Sequence, residues 1–189
     1  MFGLKDVRIR PERCLGCRSC EVACAVEHSQ SKSLFSALGE NPVPKKRIHV
    51  EHMPALNAPV PMTCRNCENA PCVSTCPTKA LSQDAATNFV SHDRERCVDC
   101  WICSTVCPRF ISLYHLILVM GCWSSSMRHN YGVVNRETDT GDIIKCDLCQ
   151  GKELPACVEA CPTNALVYSD VKDNYRDSLD FLLDKNPIL

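Results

Sequence analysis

Sixteen of the seventeen cysteines fall into four groups: Cys14, Cys17, Cys20 and Cys24; Cys64, Cys67, Cys72 and Cys76; Cys97, Cys100, Cys103 and Cys107; and Cys146, Cys149, Cys157 and Cys161. Thiolates are soft metal ligands, and a C-x2-C-x2-C run sets three of them around one face of a compact iron–sulfur cube. The fourth cysteine of such a run, often followed by proline, points away to a neighbouring cube. Pro77, Pro108 and Pro162 stand in that position here, whereas Cys24 is followed by Ala25. The spacing predicts a carrier of four [4Fe–4S] centres.

Two other uses of so many thiols compete with this one. A disulfide framework is the common use in small secreted chains. The count here is odd, three groups share a tight register, and Met1 to Arg10 holds neither an apolar signal core nor a twin arginine. Zinc ribbons use C-x2-C pairs set far apart, not triplets with a Cys-Pro partner. Neither alternative accounts for the pattern.

The elements that must position these thiols read as a duplicated module. Glu12-Arg13-Cys14-Leu15-Gly16-Cys17 echoes Glu95-Arg96-Cys97-Val98-Asp99-Cys100, and Cys76-Pro77-Thr78-Lys79-Ala80-Leu81 echoes Cys161-Pro162-Thr163-Asn164-Ala165-Leu166. A short strand signal follows Cys76-Pro77, at Asn88 to Ser91, and suits a small hairpin bracketing the thiol loops. Cys20 to Glu27 and Val73 to Cys76 read as single helical turns. With 6% aromatic residues and twelve prolines the ordinary apolar core is thin. The metal is therefore expected to stand in for it, so that losing metal means losing the fold.

The formal charge is −1. Four dianionic cubes bring the loaded chain to about −9, to be offset by N–H groups and cations close by. The one basic run, Lys45-Lys46-Arg47, reads as a solvated loop rather than a docking patch, and nothing points to nucleic acid. His28, His49, His52, His92, His115 and His129 read as non-ligands, because each cube already has four thiolates available. No nucleophile–base pair or phosphate-binding loop is present, so chemistry on an organic substrate is not expected.

Four motifs, with four residues between Cys67 and Cys72 and a Lys145-Cys146-Asp147-Leu148-Cys149 start to the last, resemble the four-cluster ferredoxin-type electron-transfer subunits. Those accompany molybdenum and tungsten oxidoreductases, formate-linked hydrogenases and carbon monoxide dehydrogenase. Within that family, residues Cys14 to Ser29 most resemble the iron–sulfur protein paired with nickel carbon monoxide dehydrogenase. The resemblance implies four ligand sets: Cys14, Cys17 and Cys20 with Cys161; Cys146, Cys149 and Cys157 with Cys24; Cys64, Cys67 and Cys72 with Cys107; and Cys97, Cys100 and Cys103 with Cys76.

It also implies an α+β fold of two bacterial-ferredoxin-like lobes with extensive loops. Residues 1–60 and 140–189 would hold clusters 1 and 4, and residues 61–139 would hold clusters 2 and 3. The implied function is non-catalytic: a relay of electrons from carbon monoxide dehydrogenase to a hydrogenase or flavoprotein. A molybdenum or tungsten aldehyde or formate oxidoreductase is the alternative partner, and a redox sensor with a labile cluster is the alternative role. A cytoplasmic chain without a membrane span of its own is expected, with membrane association only through a partner.

Three features stand apart from the family pattern. An apolar segment, Pro108 to Trp123, opens an atypical insert near 109–139 and is too short for a bilayer. Cys122 inside it is the spare thiol and reads as a small buried apolar residue. Val171, Tyr175, Leu179 and Leu182 recur at helical spacing and predict an amphipathic C-terminal helix. Trp101, between Cys100 and Ile102, is expected to shield cluster 3 from water.

Overall fold

The computed structural model describes residues 5–53, 57–107, 134–136 and 141–170. Apart from Val134, Asn135 and Arg136, the 109–139 insert lies outside the described residues, as do Cys122, His115, His129 and the expected helix beyond Asp170. In chain order the elements are β1 (Lys5–Ile9), a 3-10 turn (Pro11–Arg13), α1 (Ser19–Glu27), α2 (Leu34–Ala37), β2 (Ile48–Met53), β3 (Ala58–Thr63), α3 (Pro71–Ser74), β4 (Leu81–Gln83), β5 (Val90–His92), α4 (Ile102–Thr105), β6 (Asn135–Arg136), β7 (Ile143–Ile144), α5 (Ala156–Glu159) and β8 (Leu166–Asp170). Among the described residues short helices mix with four two-stranded antiparallel sheets.

Strand β1 pairs with β8, so the two ends of the described chain meet, with Val7 opposite Tyr168 and Ile9 opposite Leu166. Val7 and Leu166 are almost wholly buried, which gives this small sheet an apolar inner face. The β4–β5 hairpin pairs Leu81 with His92 and Gln83 with Val90. It lies where the strand signal at Asn88 to Ser91 placed a hairpin. β2 alternates buried Ile48 and Val50 with partly exposed His49 and Glu51. Its partner β3 carries Pro59 and Pro61, opposite His52 and Val50. Being two residues apart, the prolines share one parity, so both missing N–H groups can face the outer edge, where no ladder bond is lost.

α1 runs nine residues, Ser19–Glu27, beginning one residue before the Cys20 to Glu27 segment read as helical. Cys20 and Cys24, four apart, lie on one face, and the buried Glu21 beside them ties the helix to β2 through the Val50 N–H at 2.6 Å. α3, α4 and α5 are single turns. α3 starts with Pro71 in the first helical position, where a missing N–H costs nothing, and ends two residues before the expected limit of that turn.

Two buried groups of apolar side chains form the interior, and thiols are part of both. Val60, Met62, Leu81, Val90 and Val134 surround Cys64, Cys103 and Cys146. Val7, Ile48, Val50 and Leu166 surround Cys20, Cys24 and Cys157. Ile9 and Leu148 touch both groups and join them.

Candidate metal centres

Each C-x2-C pair needs a tight bend. In all four, the residue just before the second cysteine has a positive φ: Gly16 (69°), Asn66 (44°), Asp99 (56°) and Leu148 (58°). Left-handed residues in such turns swing successive N–H groups to one side, forming a concavity suited to anions, here the sulfurs of a cluster. Three of the four carry a side chain, and Leu148 has no polar group to offset the strain. At Gly16 a Cβ would come 3.2 Å from the Pro59 Cβ, so the first loop seats closely on β3. Arg18 and Trp101, one residue past the second cysteines, are also left-handed (φ 60° each) and start α1 and α4.

These turns bring thiols together that lie far apart in sequence. Cys14, Cys17, Cys20 and Cys161 line one cavity with Leu15, Val50 and Leu166. Cys76, Cys97, Cys100 and Cys103 line a second, where Trp101 is part of the wall. Burial pushes the Cys64 thiol up, and its neighbours Cys72 and Cys107 push it further. Burial likewise raises Cys157, with Cys146, Cys24 and Cys149 beside it.

Neighbouring groups adjoin. Cys157 also feels Cys20 of the first group, Cys146 feels Cys64, and Cys103 feels Cys72. Thiol neighbours therefore run from the group of Cys14 to that of Cys146, from there to that of Cys64, and from there to that of Cys97.

The duplicated Cys-Pro-Thr unit folds the same way twice. Lys79 (φ 53°) and Asn164 (φ 52°) take the left-handed turn, and Ala80, Leu81, Ala165 and Leu166 are buried behind it. Burial alone would raise Cys76 and Cys161. Backbone N–H groups of Leu81, Ala80 and Thr78 at Cys76, and of Leu166, Thr163 and Ala165 at Cys161, outweigh it and hold both thiols below their ordinary range. The Ala165 N–H lies 3.2 Å from the Cys161 sulfur. These two loops are built for thiolates.

The donor set fits iron–sulfur clusters. Burial pushes Cys20 and Cys146 up to about 12 and Cys103 up to about 11, with neighbouring thiolates adding to each. Sulfurs so crowded cannot all ionise unless a cationic core binds among them. The buried Thr63 hydroxyl finds no oxygen or nitrogen partner and lies beside the Cys146 thiol, as a donor awaiting a charged sulfur.

Sequence reasoning missed the charged residues around the thiols. Lys46 and Arg47 are not a solvated run: the Lys46 ammonium lies 2.6 Å from Glu21, and Arg47 pairs with Asp147. The Arg47 backbone N–H also donates to the Cys24 sulfur at 3.2 Å. Glu21 is buried and Asp147 partly so, which makes each favour a cation, and those cations come from a loop 25 and 100 residues away.

His28 Nε2 is 3.1 Å from Asp147 and its Nδ1 is 2.7 Å from the Cys24 carbonyl. Burial opposes its charge, but hydrogen bonds to Asp147 and Cys24 push it up to about 9, with Arg47 acting against them. Burial raises Asp147, yet His28 and Arg47 hold it down to about 2. Lys145, only 8% exposed, places its ammonium 3.7 Å from the Cys72 sulfur. A charged residue flanking a Cys motif was the one available signal for Lys145 and Asp147.

Two family models, both described as 4Fe-4S dicluster domains, match residues 57–116 and 89–162. The chain is 38% identical over 159 residues to the electron transport protein HydN of Escherichia coli, covering 84% of this chain and 83% of that one. It is 38% identical over 175 residues to an iron-sulfur protein of Rhodospirillum rubrum, covering 89% and 83%. Over 157 residues it is 36% identical to the polyferredoxin-like subunit of the aliphatic sulfonate oxidoreductase of Pyrococcus furiosus, covering 82% and 70%.

Proposed function

This chain belongs to the 4Fe-4S dicluster family of electron-transport proteins, and from that premise we propose that it carries four [4Fe–4S] clusters and relays electrons between a catalytic metalloenzyme subunit and a second redox protein. The observation that carries this reading is the gathering of thiols remote in sequence, Cys161 with Cys14, Cys17 and Cys20 around one cavity and Cys76 with Cys97, Cys100 and Cys103 around another, with the other two groups between them. The ligand sets would be Cys14, Cys17, Cys20 and Cys161; Cys146, Cys149, Cys157 and Cys24; Cys64, Cys67, Cys72 and Cys107; and Cys97, Cys100, Cys103 and Cys76. Each cluster supplies one-electron storage at a potential that protein hydrogen bonds, charge and solvent exposure set.

The remaining work is done by the chain. It spaces the thiols as stepping stones, and it divides them between two lobes, 1–60 with 140–189 and 61–139. The buried group around Val7 and Leu166 lies wholly within the first of these, while the other draws Cys146 and Val60 from it as well. At the two ends of the series Cys17 and Cys100 are exposed, beside the exposed Leu15 and Val98. These are the exits where electrons would enter and leave. No described helix is long and apolar enough to cross a membrane. The reduced thiols that four clusters need fit a reducing cytoplasm, where we place the protein, with any membrane association made through a partner.

For the donor subunit we favour a nickel carbon monoxide dehydrogenase, on the resemblance of residues 14–29. Molybdenum and tungsten enzymes are the alternative. Anaerobic purification of the native protein at low salt, with mass spectrometry of the large subunit that accompanies it and an iron count, tests both levels. About sixteen irons per chain are expected. A molybdenum or tungsten partner would keep the relay and discard the carbon monoxide reading, and markedly fewer irons would overturn the four-cluster reading.

A further inference from the structure

Cations near a cluster stabilise its reduced, more negative state, but only as far as nearby carboxylates do not cancel them. The described residues around the four thiol groups differ in this respect. Beside the Cys24 sulfur, Arg47 and His28 both engage Asp147. At the Cys97 loop, Arg94 makes two hydrogen bonds to Asp99, at 2.9 and 3.0 Å. In the first group the Cys17 and Cys161 sulfurs meet a Ser19 hydroxyl and the Ala165 N–H, which are neutral donors, and Arg18, which also lines that cavity, is exposed so that water and salt screen its charge.

Lys145 is different. It is buried, its ammonium lies 3.7 Å from the Cys72 sulfur, its charge also acts on Cys64, and no carboxylate pairs with it among the described residues. Its backbone adjoins Cys146, a thiol of the neighbouring group that itself senses Cys64.

The geometry points to Lys145 as the positioning charge that makes the Cys64–Cys67–Cys72–Cys107 centre the most oxidising of the four, an electron sink set at the junction of the two halves of the series. This rests on the four-cluster reading above. Lys145 transfers no proton and ligates nothing. Its fixed charge draws an electron across the step from the Cys146 group to the Cys64 group, and it holds the acceptor side of that step below the donor side in energy. A lysine donates to sulfur as a compact point charge, so any cation of similar reach should serve, and an uncharged side chain of similar volume should not.

The test is an EPR-monitored redox titration of the full chain, with iron counted in each sample. In the wild-type protein the most positive midpoint should belong to the signal that Cys72→Ser alters or abolishes. In Lys145→Met that one midpoint should move to a more negative potential while the other three stay. Lys145→Arg should return it most of the way.

The proposal is overturned if Cys72→Ser leaves the most positive component untouched. It is equally overturned if Lys145→Met keeps about sixteen irons and shifts no midpoint, or shifts all four alike. Should Lys145→Met lose iron, the Cys72→Ser assignment in the otherwise native chain still decides. A wild-type iron content far below sixteen would instead sink the four-cluster reading, a failure distinct from unmoved midpoints in a fully loaded protein.

Discussion

The loops at Cys76 to Leu81 and Cys161 to Leu166 are nearly the same structure, yet the regions they serve are held together differently. Both loops turn at a left-handed residue, bury the same Ala-Leu pair and aim backbone N–H groups at their cysteine. Around Cys161, however, the first region is laced by buried charge. Glu21 takes the Val50 N–H and Lys46, and Asp147 takes Arg47 and His28. Around Cys76 the corresponding charges are a half-exposed Arg94–Asp99 pair and Lys145, which has no carboxylate partner among the described residues. A duplicated unit fixes how thiols are presented, and the surrounding loops decide what each centre experiences.

The strongest way to break the comparison is to remove what the two regions share. Stripping iron with a chelator under anaerobic, reducing conditions should unfold both together. The thiols form part of each apolar interior, and sixteen crowded sulfurs lose their counter-charge. Far-UV circular dichroism and limited proteolysis would report it. If cuts were confined to one region while the other kept its protection, one of the two interiors would be standing without metal.

A smaller effect sharpens the contrast. Glu21→Ala removes the buried acceptor that ties α1 to β2, leaving the Val50 N–H and Lys46 without it. A loss of about 2 kcal/mol is expected, mainly because the buried Val50 N–H is left without an acceptor, whereas the partly exposed Lys46 ammonium returns to water. The iron content should stay unchanged at first loading. Denaturant unfolding of the loaded protein, followed by cluster absorbance, gives the value. A cost near zero would mean that the charge network around α1 is ornament and the metal alone holds that helix.

These differences also explain how far the sequence could be read. The Cys-x2-Cys turns, the Cys-Pro-Thr repeat and the β4–β5 hairpin are local, so spacing and turn chemistry reveal them. Spacing could not supply the partner of a distant thiol: nothing between Cys14 and Cys24 says that Cys161 closes the first cavity, and only a family resemblance suggested it. The β2–β3 hairpin was hidden because Pro59 and Pro61 argue against a strand unless both face an outer edge. Lys46 and Arg47 looked like solvated charge because Glu21 and Asp147 are remote in sequence.

The smallest expected effect tests the other side of the contrast. Asp99 sits in the left-handed turn before Cys100 and holds Arg94 with both carboxylate oxygens, but the pair is open to water. Asn keeps the turn, because it tolerates positive φ as Asp does, while removing the charge. Solvent and salt already screen most of what the pair contributes. Asp99→Asn should therefore leave the unfolding midpoint of the loaded protein where it is. The midpoint potential of the Cys97 centre should instead move upward, because a negative charge beside that centre is removed. Stability and potential would thus separate at Asp99. If the potential stayed put as well, charge pairing would not be what distinguishes the environments of the centres, and the contrast between a paired Arg94 and a Lys145 with no carboxylate partner among the described residues would lose its force.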